Sequence, residues 1–210
     1  MSDKFIPENT QRALDAINLY SNLLNDYEFY LAGGTALAFK LKYRVSYDLD
    51  FFTSKEFNSI ELSNIFSANN KVSDIKIEKG TLKFNYLDTN ISFFYYPHAL
   101  LKPLEYIKNI KVADILDIAL MKVTAIAGRG LEKDFADLYY ASLKLGNLDK
   151  VLENFEKKFP NTNFEHYLKS LVYFEDADNG PRPNIVIKDY DWKKIKDYFQ
   201  EEVKNYFNSK

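Results

Sequence analysis

The sequence predicts an α+β fold, a mixed sheet with helices followed by a helical carboxyl-terminal half, and three observations predict it. Aromatic-rich and alternating strand patterns are confined to the first hundred or so residues, helical spacing takes over beyond Pro103, and a strand, a glycine turn and a helix follow one another at Glu28–Lys42. The expected division is residues 1–110 as an α/β core and 111–210 as a helical region.

Each element has its own signal. Ala13, Ile17, Tyr20 and Leu24 recur at helical spacing over residues 8–25, with Asn9 or Thr10 as candidate N-cap. Glu28–Ala32 reads as a short buried strand ending at Gly33-Gly34, and Thr35–Lys42 resumes with strong helix formers. Tyr47–Phe52 is a second strand by its alternation, and a helix is expected from about Ser59 to Ala68. Val72–Tyr96 divides at Glu78-Lys79-Gly80 and at Asp88-Thr89-Asn90 into a three-stranded meander. Helices are then expected over 114–128, 131–144, 149–158, 164–176 and 192–208, with a loop at Asn179–Pro183. No internal repeat or low-complexity segment interrupts this order.

Composition removes several function classes. The 210 residues contain no Cys, so disulfides, thiolate metal sites and cysteine nucleophiles are excluded. No apolar run reaches membrane-spanning or signal-peptide length, which gives a cytoplasmic expectation with no membrane partner. The net charge of −2 means that any nucleic-acid contact needs a local basic patch, for which Lys40, Lys42 and Arg44, with Lys122 and Arg129, are the candidates. The 16 Tyr and 17 Phe against 7 Gly and 6 Pro point to a core of aromatic packing. His98 and His166 have no partner at ligand spacing, and Lys193, Lys194 and Lys196 read as a solvated helix face.

Chemistry concentrates at two places. Asp48 and Asp50 lie two apart on the second strand, so both carboxylates project from one face while Leu49 and Phe51 project from the other. Paired acids repel unless a divalent cation lies between them, and Mg²⁺ (or Mn²⁺) suits one or two carboxylates plus phosphates and water. An isolated Asp-x-Asp is as well read as a solvated strand face. Upstream, Gly33-Gly34-Thr35 joins a strand to a helix, where glycine admits close approach and the helix start offers unpaired amides to an anion. Alone, that too is simply a tight turn. Together they form the minimum apparatus for holding a nucleoside triphosphate and its metal. Arg44 and Ser46 lie in the loop entering the acid strand, where Arg44 is either a γ-phosphate ligand or a surface arginine.

In the helical half, Lys122 and Arg129 are seven apart and share a helix face, while Asp134 and Asp137 are three apart and share another. The cations can ligate phosphate with the acids positioning them or an incoming hydroxyl; equally, all four can be a helix-to-helix salt-bridge network.

The run Leu31-Ala-Gly-Gly-Thr-Ala-Leu-Ala38, then Arg44-Val-Ser46, then Asp48-Leu-Asp-Phe-Phe52 resembles the signature of the AbiEii family of nucleotidyltransferase toxins of type IV toxin–antitoxin systems. Lys122, Arg129, Asp134 and Asp137 match that family's helical motif, and Tyr173–Ala177, Pro181-Arg-Pro183 and Trp192 extend the likeness to nearly the whole chain. The resemblance implies a polymerase β-like fold in which the helical region packs on the core and completes the active site. It implies Gly33, Gly34, Thr35, Arg44, Ser46, Arg129 and Asp134 as nucleotide-binding, Asp48 and Asp50 as the Mg²⁺ ligands, and Asp48, Asp50, Lys122 and Asp137 as catalytic. It further implies transfer of a nucleoside monophosphate from a nucleoside triphosphate to an RNA acceptor, the 3′ end of a tRNA, by a toxin with a cognate antitoxin. Transfer to a protein or small molecule, and a non-catalytic binding module, are the alternatives. One departure bears on the second: such enzymes often carry a third carboxylate on a later strand, and Ile91–Tyr95 offers none, which leaves the base role to Asp137.

Overall fold

The computed structural model describes residues 4–208. Two units are distinguished: one runs through Ala99 and resumes over Pro103–Ala113, and the other takes Leu100–Lys102 and the chain from Asp114 onward.

The first unit is built on a seven-stranded mixed sheet of order β3-β4-β5-β2-β1-β7-β6. Its strands are β1 (Tyr30–Ala32), β2 (Leu49–Thr53), β3 (Val72–Glu78), β4 (Thr81–Tyr86), β5 (Thr89–Tyr95), β6 (Glu105–Ile107) and β7 (Ile110–Val112). The meander β3–β4–β5 is antiparallel, as its turn residues predict, but β5 joins β2 in parallel register, with Leu49 opposite Ile91 and Asp50 opposite Ser92. On its other side β2 pairs antiparallel with β1, Ala32 lying opposite Asp50. Alternation then sorts the side chains of β2: Leu49, Phe51 and Thr53 are buried, while Asp50 and Phe52 are half-buried on the opposite face. Phe93 stacks on Phe51 at 5.1 Å and on Phe66 at 5.2 Å, and meets Phe29 edge-on at 4.9 Å, so the aromatic core forms beneath the acid strand.

The β6–β7 hairpin corrects the expectation that the pattern turns helical beyond Pro103. Its turn at Lys108 and Asn109 has left-handed backbone at both residues, the geometry a two-residue hairpin turn requires, and β7 pairs in parallel with β1. The helix expected over 8–25 is two helices, α1 (Glu8–Asn18) and α2 (Ser21–Asp26). Pro7, not Asn9 or Thr10, occupies the N-cap of α1, and the Thr10 hydroxyl donates instead to the Tyr47 carbonyl. The unit's other helices are α3 (Gly33–Leu41) and α4 (Ser59–Ser67), the latter capped by Asn58.

The second unit is helical. Its elements are α5 (Ile115–Arg129), α6 (Glu132–Leu145), α7 (Asp149–Leu152), α8 (Phe155–Lys158), α9 (Phe164–Ser170), α10 (Glu175–Asn179) and α11 (Trp192–Asn208). The helices expected over 149–158 and 164–176 are thus each broken in two. Asp114 caps α5, and Gly130, left-handed at φ 54°, ends it and turns the chain into α6. Phe135 on α6 lies against Phe174, Trp192 and Phe199 at 5.1–5.8 Å, fixing α11 on α6. Among the described residues no helix is long and apolar enough to cross a membrane.

Candidate active site

The first unit brings the glycine turn and the acid strand together. Gly33 has φ +69°, a conformation L side chains rarely adopt, and a Cβ there would lie 3.0 Å from Asp50 Oδ2. A Cβ on Gly34 would strike Arg44 Nη2 and come within 2.9 Å of Ser46 Oγ. The two glycines therefore lie directly under the side chains that the sequence singled out.

The loop carrying those side chains is irregular over residues 45–48, and three successive residues anchor it. The Ser46 amide donates to the Phe5 carbonyl (3.1 Å), the Tyr47 carbonyl accepts from Thr10 Oγ1 (3.0 Å), and the Asp48 carbonyl accepts from Thr35 Oγ1. Thr35 is buried, so its hydroxyl clamps the glycine turn to the acid strand. Arg44 is buried as well, its Nε donating to Tyr43 Oη (3.1 Å) and its Nη1 to the Val45 carbonyl (2.9 Å). A guanidinium held in this way is pre-oriented, not a mobile surface charge. Lys40 pairs with Glu105 at 2.8 Å with its side chain 8% exposed, so of the basic trio in this unit Lys42 is the exposed one. The expected surface patch is correspondingly thin.

Asp48 and Asp50 are both half-buried. A neutral partner that sequence reasoning missed stands beside them: Asn90 Nδ2 donates to Asp48 Oδ1 at 3.0 Å. Counting by twos along β5 puts Asn90, Ser92 and Phe94 on one face, but only the parallel register with β2 sets that column beside Asp48, Asp50 and Phe52. Phe52 and Phe94 stack at 5.2 Å, as the shared face requires. Among the described residues no group of three or more His, Asp or Glu side chains could hold a metal by itself. Two oxygen-donor carboxylates against a glycine surface do fit a hard divalent cation whose remaining positions go to water and phosphate.

The second unit gathers the other four expected residues. Lys122 Nζ lies 2.9 Å from Asp134 Oδ1 and 2.7 Å from Asp137 Oδ2, and the Arg129 Nε and Nη2 groups donate to the two oxygens of Asp134 at 2.7 and 2.9 Å. Both aspartates are fully buried, Lys122 nearly so, and Arg129 is half exposed. Burial drives the Asp134 carboxyl upward, but the Lys122 ammonium and the Arg129 guanidinium outweigh it and hold it below the ordinary carboxylate value. A second buried pair, Lys158 Nζ with Asp117 Oδ1 at 2.6 Å, was not anticipated; Asp117 also accepts the Leu101 and Lys102 amides and so ties that short segment to α5.

A mixed sheet in which a strand, a glycine turn and a helix meet a strand of alternate carboxylates, followed by a helical region, makes an α+β fold. The chain belongs to the nucleotidyltransferase AbiEii toxin family of type IV toxin–antitoxin systems, whose model matches residues 18–208. It is 44% identical over 157 residues to an uncharacterized protein of Aquifex aeolicus, a match covering 71% of this chain and 75% of that one. Among solved structures it is similar to JHP933 from Helicobacter pylori, with a TM-score of 0.51 at 20% identity over 97% of this chain and 94% of that chain. A second H. pylori chain, a candidate nucleotidyltransferase, gives a TM-score of 0.52 at 20% identity over 97% and 99%. At that identity the two structures speak for the fold alone.

Proposed function

We propose that this nucleotidyltransferase moves a nucleoside monophosphate from a nucleoside triphosphate to a hydroxyl of RNA, the 3′ end of a tRNA, and thereby stops growth as the toxin of a pair with a cognate antitoxin. The observation that carries the reading is the contact of Gly33 with Asp50 and of Gly34 with Arg44 and Ser46, which sets a phosphate seat against a carboxylate pair. Asp48 and Asp50 would hold Mg²⁺, which supplies charge stabilisation at the reacting phosphate. Arg44, fixed by Tyr43 and Val45, would bind a phosphate oxygen. The acceptor oxygen attacks the α-phosphorus, the bond to the β-phosphate oxygen breaks, and pyrophosphate leaves.

From the helical unit, Lys122 is assigned to neutralise phosphate charge. Asp137, sealed from solvent and paired with that lysine at 2.7 Å, is assigned to hold the ammonium in place. The hydroxyl proton is therefore assigned to solvent.

The test is incubation of the purified protein with Mg²⁺, each α-labelled nucleoside triphosphate in turn and total cellular RNA, beside Asp50→Ala. Label in a tRNA-sized band with the unmutated protein alone is expected; label in protein or in no acceptor overturns the RNA reading. The neutral Asn90 and Ser92 beside the acid pair favour a second reading, a non-catalytic nucleotide-binding module. Mg²⁺-dependent release of pyrophosphate would exclude it.

A further inference from the structure

We infer that Asn90 is a positioning residue for the cation site: its amide fixes the Asp48 carboxylate from the neighbouring strand, doing from outside the coordination sphere what a third carboxylate would do from within. The inference rests on the proposed role of Asp48 and Asp50. Asp48 lies just ahead of β2, where no ladder bond of that strand yet orients it, and its main chain is held by Thr35 at the carbonyl. That clamp fixes the backbone but leaves the carboxylate free to turn about its side-chain torsions. Asn90 removes that freedom, because Nδ2 donates to Oδ1 at 3.0 Å. One oxygen of Asp48 is thus engaged by a neutral donor, and Oδ2 is left for the cation.

The neighbouring column explains why this task falls to Asn90. Next to Asp50 in the parallel register stands Ser92, buried and without charge, so β5 adds no negative charge to the pair. A carboxylate at either place would raise the local repulsion whenever the cation is absent. An amide orients without repelling. Partners of this kind, hydrogen-bonded to a ligating group, typically change metal affinity about 10- to 100-fold when removed.

The test reads metal binding directly. Mn²⁺, whose free ion is counted by electron paramagnetic resonance, is titrated into the full chain with a non-hydrolysable nucleoside triphosphate, for the unmutated protein, Asn90→Ala, Asn90→Asp and Asp50→Ala. Asn90 is exposed at the start of its strand, so both of its variants are expected to keep the unmutated unfolding midpoint. Asp50→Ala should abolish Mn²⁺ binding. Asn90→Ala should weaken it by about tenfold or more and raise the Mn²⁺ concentration needed for half-maximal transfer, with the acceptor KM unmoved. Asn90→Asp, equal in shape and able to ligate, should restore affinity to at least the unmutated value. Unchanged Mn²⁺ affinity in Asn90→Ala, with binding lost in Asp50→Ala, overturns the positioning role and leaves the acid-pair reading standing. Absence of Mn²⁺ binding by the unmutated protein overturns both.

Discussion

The two units each gather acids and cations, yet dispose of them in opposite ways. In the first, Asp48 and Asp50 are half-buried, the partner given to the Asp48 carboxylate is a neutral amide, and the cation nearby, Arg44, is held over a glycine. In the second, Asp134 and Asp137 are shut away from water and Lys122 is shared between them. The same residue types thus make one half-buried cluster set against a glycine turn and another in which fully buried carboxylates share a lysine. A half-buried acid keeps part of its hydration, whereas a fully buried one must be paired where it stands. The second cluster is therefore expected to contribute more to stability than the first.

The sharpest way to break that contrast is to remove one charge from each. Asp50→Ala should lower nucleotidyl transfer by about a thousandfold, the rate equivalent of several kcal/mol of metal-derived stabilisation, while denaturant unfolding shows a far smaller change. Lys122→Met should do the reverse to stability. It leaves two fully buried carboxylates without their shared cation, and loss of one partner of a buried pair costs about 3–5 kcal/mol. Urea unfolding of the two variants decides the matter: equal losses of stability would mean that the clusters do not differ in kind.

The contrast was only partly legible in the sequence. Gly33-Gly34 and the Asp48–Asp50 pair announced themselves because both signals are local, a positive-φ turn and a period of two. The meander and the long helices α5, α6 and α11 were legible for the same reason, since turn residues and apolar spacing mark them from within. The β6–β7 hairpin was not: its strands are three residues each, and what makes them strands is the pairing of β7 with β1, some eighty positions earlier. Asn90 was missed on the same ground, because only the parallel register of β5 against β2 gives it a partner 42 residues away. For Lys122, Arg129, Asp134 and Asp137 the spacing gave the faces, but the ion pairs between α5 and α6 form only once the two helices are packed together.

A smaller perturbation sharpens the description of the first cluster. Gly34→Ala adds a Cβ that strikes Arg44 Nη2 and nears Ser46 Oγ, and Arg44 cannot retreat readily because it is buried and doubly hydrogen-bonded. We expect a stability loss of about 1–3 kcal/mol, as for an overpacked interior position, together with weaker nucleoside triphosphate binding by calorimetry. Affinity equal to that of the unmutated protein would remove Arg44 from the phosphate seat.

The smallest effect expected is in the acid stability of the second cluster. Asp134 has a folded pKa below its ordinary value of 3.8, because Lys122 and Arg129 together outweigh the desolvation that opposes them. Between the folded and unfolded values the unfolded chain binds more protons, so stability rises with pH there. The contribution is fully present above the unfolded value and is lost as pH falls through the folded one. Unfolding free energy measured from pH 5 downward should therefore fall more steeply for the native chain than for Asp134→Asn, with the divergence confined to below about pH 4. Parallel curves would show that the pairing energy of Asp134 does not depend on its charge.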